Sequence, residues 1–122
     1  MGATSPEQWW AIWSESFDRG DVETILRLYD PGATVVPNPG NPITGVADLR
    51  ETLQGFVDMH GTLKGEQGPV LHGPGVATSY IPWTFDADLS GEPFHLEGVA
   101  TVMLADRPDG WVALIDDFYG RG

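Results

Sequence analysis

Val76-Ala77-Thr78-Ser79-Tyr80-Ile81-Pro82-Trp83-Thr84-Phe85-Asp86-Ala87-Asp88-Leu89 reads as one long strand. Ile81, Trp83, Phe85 and Ala87 alternate with Tyr80, Pro82, Thr84, Asp86 and Asp88, and a period of two sends the first set to one face and the second to the other. Ser90-Gly91-Glu92-Pro93 supplies a hairpin turn, and residues 94–105 form the next strand. Its core side is Phe94, Leu96, Gly98, Ala100, Val102 and Leu104. His95, Glu97, Val99, Thr101 and Met103 then fall on the outer face. After a turn at 106–110 comes the last strand, Gly110-Trp111-Val112-Ala113-Leu114-Ile115-Asp116-Asp117-Phe118-Tyr119-Gly120.

Upstream the periodicity is helical. Ser5 is placed to cap a first helix, with Pro6 at its first position and Gln8 closing a capping box. Trp9, Trp13 and Phe17 recur every fourth residue and make a wide aromatic face, which Trp10 and Ile12 extend. Gly20 ends this helix and Asp21 caps the next, where Val22, Ile25, Leu26 and Tyr29 follow helical spacing. Asp30-Pro31-Gly32 breaks the chain before a short strand at 33–36, and 37–42 is a loop dense in turn formers. Gly45 precedes a third helix with Leu49, Leu53, Phe56, Val57 and His60 on one face. Residues 62–70, interrupted by Gly65 and Gly68, make an irregular strand. Helices first and a meander of long strands afterwards indicate an α+β fold, three N-terminal helices packed on a curved antiparallel sheet. An aromatic-lined conical cavity is expected at the open end.

The 122 residues make one domain, 1–122, with 41% hydrophobic and 20% charged residues. A net charge of −12 argues against nucleic acid and anionic membranes as partners. With no cysteine, no span-length apolar run and no signal-like N-terminus, a cytoplasmic protein is expected. The histidines lack metal-site spacing, so no metal is expected, and no phosphate loop or nucleophile elbow points to a cofactor. His72 in its Gly/Pro turn, and Asp86 and Asp88 on their polar face, read as surface residues.

The order of these segments resembles the nuclear transport factor 2-like (cystatin-like) superfamily, which includes ketosteroid isomerases and SnoaL-like polyketide cyclases. Residues 17–29 resemble its first helical hairpin, Ala33-Thr34-Val35 with Pro42-Ile43-Thr44-Gly45 its first strand and the loop into the third helix, and Asp109-Gly110-Trp111-Val112 before Ile115-Asp116-Asp117 its last hairpin. The ketosteroid isomerase residues are absent. The matching positions are Trp13 for the helix tyrosine, Ala100 or Thr101 for the strand acid, and Pro37 or Asn38 for the base. The resemblance to SnoaL-like cyclases implies a cofactor-free enzyme with an acid/base aspartate in the cavity.

Asp116 shares its face with Val112, Leu114 and Phe118, whereas Asp117 shares its with Trp111, Ala113, Ile115 and Tyr119. One of them enters the cavity, and a gapless superposition on ketosteroid isomerase favours Asp117 and Tyr119. Desolvation there would raise the carboxyl pKa toward neutrality and fit it for proton transfer. The candidate catalytic residues are therefore Asp117, Asp116 and His60, with Tyr119, His60 or the Trp13 indole holding an oxygen where charge develops. Trp9, Trp13, Phe17, Phe56, Trp83, Phe85 and Tyr119 are the candidate substrate-binding residues. The expected reaction is cyclisation or isomerisation of a hydrophobic, oxygenated polyketide- or terpenoid-like molecule. A non-catalytic pocket protein and an epoxide-opening hydrolase are the alternatives. The outer sheet face, with Tyr80, His95, Val99 and Met103, is expected to form a homodimer.

Overall fold

The computed structural model describes residues 2–120. In chain order the elements are α1 (Pro6–Asp18), α2 (Val22–Leu26), β1 (Tyr29–Val36), β2 (Ile43–Thr44), α3 (Val46–Asp58), β3 (Thr62–Gly65), β4 (Val70–Gly73), β5 (Val76–Leu89), β6 (Glu92–Arg107) and β7 (Gly110–Asp117). The sheet runs β2-β1-β7-β6-β5-β3, and β4 pairs with the first part of β5. β5 and β6 pair in unbroken antiparallel register from Val76↔Ala105 to Leu89↔Glu92, which makes them the spine of the domain. β1 and β7 are parallel, so the sheet is mixed where a wholly antiparallel one was expected. No hairpin joins those two strands, and their relative direction is therefore not fixed by a turn.

The helices cover one face of the sheet. α1 lies over β3, β5 and β7 and buries Pro6, Trp9, Trp13, Ser16 and Phe17. α3 lies over β1 and β2 and buries Leu49 and Leu53. From the sheet side come Val35, Ala77, Ile81, Phe85, Ala100, Val102, Leu104 and Ala113, all buried. On β6 this is the face read as core from the sequence, with His95, Glu97 and Met103 exposed on the other.

Local chemistry sets most boundaries. Asp21 accepts hydrogen bonds from the Thr24 amide (3.1 Å) and hydroxyl (2.6 Å) and so caps α2. At α1 the capping differs from expectation by one residue. Ser5 makes no side-chain cap, and the Gln8 carbonyl reaches back to the Thr4 amide (3.0 Å) and hydroxyl (2.7 Å). α2 is a short turn that stops at Leu26, and Tyr29 opens β1 instead of closing the helix. The irregular strand expected over 62–70 is two short strands, β3 and β4, and His72 lies exposed on β4.

Two irregularities shape the edge where β1 meets β7. Between the pairs Tyr29↔Ala113 and Thr34↔Ile115, β1 advances five residues while β7 advances two. The surplus is an outward loop at Asp30-Pro31-Gly32, where the Gly32 amide bonds Asp30 Oδ2 at 3.0 Å. On the other side of β7, Met103↔Ile115 is followed by Leu104↔Ala113, leaving Leu114 unpaired as a β-bulge. Among the described residues no helix is long and apolar enough to cross a membrane.

Because Asp21 satisfies an orphan amide of a helix only five residues long, Asp21→Ala is expected to destabilise the fold. Thermal denaturation should show a lower midpoint. An unchanged midpoint would show that packing alone holds α2.

Candidate active site

α1 and the covered face of the sheet enclose a cavity walled by Trp9, Trp10, Trp13, Phe17, Phe56, Leu63, Ile81, Trp83, Phe85, Ala100, Val102, Asp116 and Phe118. Eight of these thirteen are aromatic. On α1 the rings of Trp10, Trp13 and Phe17 stack in sequence, with centroids 5.5 Å apart at each step, because residues three or four apart share a helix face. Phe85 takes edge-on contacts from Phe17 (6.1 Å) and Phe56 (5.7 Å). The cavity volume is only about 50 Å³. It is a narrow slot between rings.

A clasp crosses one wall. The Trp83 indole N–H on β5 donates to the Phe118 carbonyl at 2.6 Å, passing over β6 at Gly98. A Cβ at Gly98 would lie 3.1 Å from that carbonyl and 3.3 Å from the indole nitrogen, so the absence of a side chain lets the clasp close.

Asp116 is the one titratable residue on the cavity wall, and it is 3% exposed. Its Oδ2 accepts from the Tyr29 hydroxyl at 2.5 Å, and the Tyr29 oxygen accepts from the Trp13 indole N–H at 2.9 Å. An indole N–H can only donate. Trp13 therefore occupies an acceptor position on Tyr29 and the phenolic proton is left to point at Asp116. Oδ1 is buried with no hydrogen-bond partner among the described residues. With Oδ2 committed as an acceptor, the proton of the neutral acid belongs on Oδ1.

Burial raises the Asp116 pKa from the ordinary carboxylate value to about 7, the charge of Asp117 adding to the rise and the Tyr29 hydrogen bond opposing it. The Tyr29 phenol is pushed well above its ordinary value by burial first, then by the charge of Asp116 and the hydrogen bond to it. It is a neutral donor throughout the working range.

The structure brings Trp9, Trp13, Phe17, Phe56, Trp83 and Phe85 together on the wall with Asp116. Asp117, the favoured inward aspartate, is outside it. Its Oδ1 accepts the amides of Tyr119 (3.1 Å) and Gly120 (3.0 Å) and so ties down the end of the strand. The bulge at Leu114 is the reason. Strict alternation from Ala113 would carry Ile115 and Asp117 inward, but the extra residue shifts the phase, leaving Ile115 45% exposed and Asp116 buried on the Ala113 face. Tyr119 contacts the outside of the clasp, its ring centroid 5.5 Å from that of Trp83, and Phe118 lines the cavity instead. His60 is exposed beyond the end of α3 with a positive φ of 53°, away from the helix face on which it was expected. The Trp13 indole, proposed as an oxygen holder, is spent on Tyr29.

At the positions compared with ketosteroid isomerase, Ala100 is the inward residue of its pair and lines the cavity, and Asn38 is exposed. On the outer face His95 Nδ1 lies 2.5 Å from Asp86 Oδ1 and Nε2 lies 2.8 Å from Glu97 Oε1. These carboxylates, Glu97 foremost, raise its pKa. His72 Nε2 meets Glu7 at 2.7 Å on the surface. Tyr29 was missed in the sequence because it extends a helical spacing.

A model of the SnoaL-like domain matches residues 10–114. No curated protein matches the chain in sequence. Among solved structures, an NTF-2 like protein of unknown function from Shewanella oneidensis MR-1 is 20% identical with a TM-score of 0.67, over 88% of this chain and 90% of that one. A ketosteroid isomerase-like protein from Erwinia carotovora atroseptica is 15% identical with a TM-score of 0.72, over 88% and 86%. A conserved protein from Planctomyces limnophilus is 13% identical with a TM-score of 0.75, over 88% and 87%. At these identities the likeness is one of fold.

Since the folded-state pKa of Asp116 lies above the carboxylate value of the unfolded chain, its neutral form favours folding. That contribution is complete below the unfolded pKa and is lost as pH rises through the folded value of about 7. Denaturant unfolding should therefore show stability falling between about pH 4 and pH 7 by at most about 4 kcal/mol. Asp116→Asn should remove that fall, and an equal decline in the variant would assign it elsewhere. Tyr29→Phe removes the one hydrogen bond that favours the carboxylate, so carbon NMR of the Asp116 carboxyl should report a pKa above the wild-type value.

Proposed function

Because the chain belongs to the SnoaL-like domain family, whose fold group is associated with isomerase and cyclase activity, we propose that it is a cofactor-free isomerase or cyclase in which Asp116 moves a proton on a hydrophobic, oxygenated small molecule. One observation carries this reading: a fully buried carboxyl on the wall of an aromatic cavity, with one oxygen held by Tyr29 and the other unpartnered. A group with a pKa of about 7 divides its population between acid and base near neutral pH, where proton transfer in either direction is accessible.

The surroundings favour the acid form as the starting state. Three of the four indoles on the wall give their N–H to the protein itself, Trp9 to Leu28 O, Trp13 to Tyr29 and Trp83 to Phe118 O. An enolate would thus find few donors, whereas the carboxylate formed at Asp116 suits developing positive charge. In the proposed reaction Asp116 Oδ1–H gives its proton to an enol carbon, or to a hydroxyl whose C–O bond breaks so that it departs as water with the bonding pair. The substrate gains a delocalised positive charge as the carboxyl becomes carboxylate. Loss of a proton from a neighbouring carbon to Oδ1 then restores the acid, before or after ring closure, and no external reagent is consumed. The narrow slot suits a flat substrate with its oxygen at the Asp116 end. An epoxide-opening hydrolase is less well supported, because the wall supplies no second acid to position water.

Asp116→Asn should lower kcat/KM by at least about 100-fold with the fold intact. In the wild type kcat/KM should fall as pH rises through about 7. Undiminished turnover of a confirmed substrate by a folded Asp116→Asn variant would take the proton transfer away from Asp116.

A further inference from the structure

At about 50 Å³ the slot is smaller than the cavity of on the order of 150 Å³ that takes up a single benzene ring. A substrate of the proposed reaction enters only if part of the wall moves. Most of the wall is fixed. α1 is tied to the chain beneath it by the Trp9 and Trp13 indoles, which donate to Leu28 O and the Tyr29 hydroxyl. α3 is seated by the buried Leu49 and Leu53, Leu63 sits in the β3–β5 ladder, and β5 and β6 pair without a break. The piece of wall without a ladder is Phe118-Tyr119-Gly120. It follows Asp117, the last residue of β7, and each of its residues is partly exposed.

We propose that residues 118–120 are the gate of this cavity, latched shut by the Trp83 indole and opened to let the substrate reach Asp116. Among the described residues two hydrogen bonds tie this segment to other elements. The Phe118 amide donates to Val36 O at 3.1 Å, and the Phe118 carbonyl accepts the Trp83 indole N–H at 2.6 Å. The first extends the β1–β7 pairing by one residue, whereas the second reaches over β6 to β5. The amides of Tyr119 and Gly120 turn back on Asp117, so the segment keeps its own shape and swings from the strand end. In the ladder Trp83 stands between Gly65 of β3 and Gly98 of β6. Trp10 fills the space over Gly65, where a Cβ would collide with its indole. The segment fills the space over Gly98, where a Cβ would lie 3.1 Å from both Phe118 O and Tyr119 Cδ1. Release of the latch therefore bares backbone beside the indole. Phe118, two residues on from Asp116 and on the same wall, leaves with the segment.

The gate rests on the proposed function for what passes through it, but its opening is a property of the fold and is visible without substrate. A segment held by few bonds opens locally while the core stays folded. Loss of one hydrogen bond shifts such an opening by roughly 2- to 10-fold.

Hydrogen exchange followed by NMR tests the gate in the unmodified protein. The Phe118 amide and the Trp83 indole N–H should exchange together, with protection at least about 100-fold below that of the slowest amides in the β5–β6 ladder. Two variants then address the latch. Trp83→Phe keeps a ring and removes the donor, and Gly98→Ala sets a Cβ against the clasp. Each should speed the entry of nitrobenzene, a neutral aromatic quencher, by roughly 2- to 10-fold in stopped-flow tryptophan fluorescence. Trp83→Phe enlarges the slot and Gly98→Ala does not, so an effect common to both belongs to the latch. The inference is overturned if Phe118 is protected like the ladder, if nitrobenzene does not enter, or if its entry quickens in neither variant or in Trp83→Phe alone. If Phe118 is protected like the ladder while Asp116→Asn abolishes turnover, the gate falls and the proposed reaction stands. If Phe118 opens locally while Asp116→Asn leaves turnover undiminished, the reaction falls and the gate stands.

Discussion

A carboxyl group sealed among aromatic rings, with one oxygen bonded and the other bare, is the constraint on which the rest of this structure turns. Burying Asp116 costs free energy that no cation in the wall offsets. The protein meets part of that cost with a directed chain of donors, from the Trp13 indole to the Tyr29 hydroxyl to Oδ2. That chain spans three elements. Trp13 comes from α1, Tyr29 from the first residue of β1 and Asp116 from near the end of β7. The helical layer and the sheet edge are thus tied to each other at the site itself, and a shift of α1 would remove the indole that orients the Tyr29 hydroxyl toward the carboxyl.

Much of the fold was legible in the sequence because long, one-sided elements repeat their signal many times. Four residues alternating with five along β5 admit one reading, and its bounds of Val76 and Leu89 are those read from the sequence. The face of β6 that carries Ala100, Val102 and Leu104 follows from the same logic. Short elements carry too few periods to decide. Val22, Ile25 and Leu26 are helical and buried, and Tyr29 continues their spacing by coincidence, yet its backbone belongs to a strand. A parallel partner for β1 was equally illegible, since it comes from the far end of the chain and leaves no turn signature.

The candidate site was legible in composition and less so in orientation. Six wall aromatics could be named because a four-residue spacing on a helix and a two-residue spacing on a strand both point large rings at the core. The choice between Asp116 and Asp117 turned on phase, and phase is what a bulge changes. Both faces of β7 are apolar, so nothing in the side chains marks Leu114 as the residue that drops out of the ladder. The mark lies in the partner strand, where Met103 and Leu104 face residues two apart. The bulge therefore turns inward the aspartate that Tyr29 can reach and leaves Asp117 to close the strand end.

The same arrangement sets the electrostatics of the cavity. Three of the four indole donors in the wall are spent within the protein, on Leu28 O, Tyr29 and Phe118 O. The carboxyl of Asp116 is therefore left with one donor, the Tyr29 hydroxyl, on one of its two oxygens. Its titration near neutral pH is set by burial against that one hydrogen bond, with the charge of Asp117 adding to the rise.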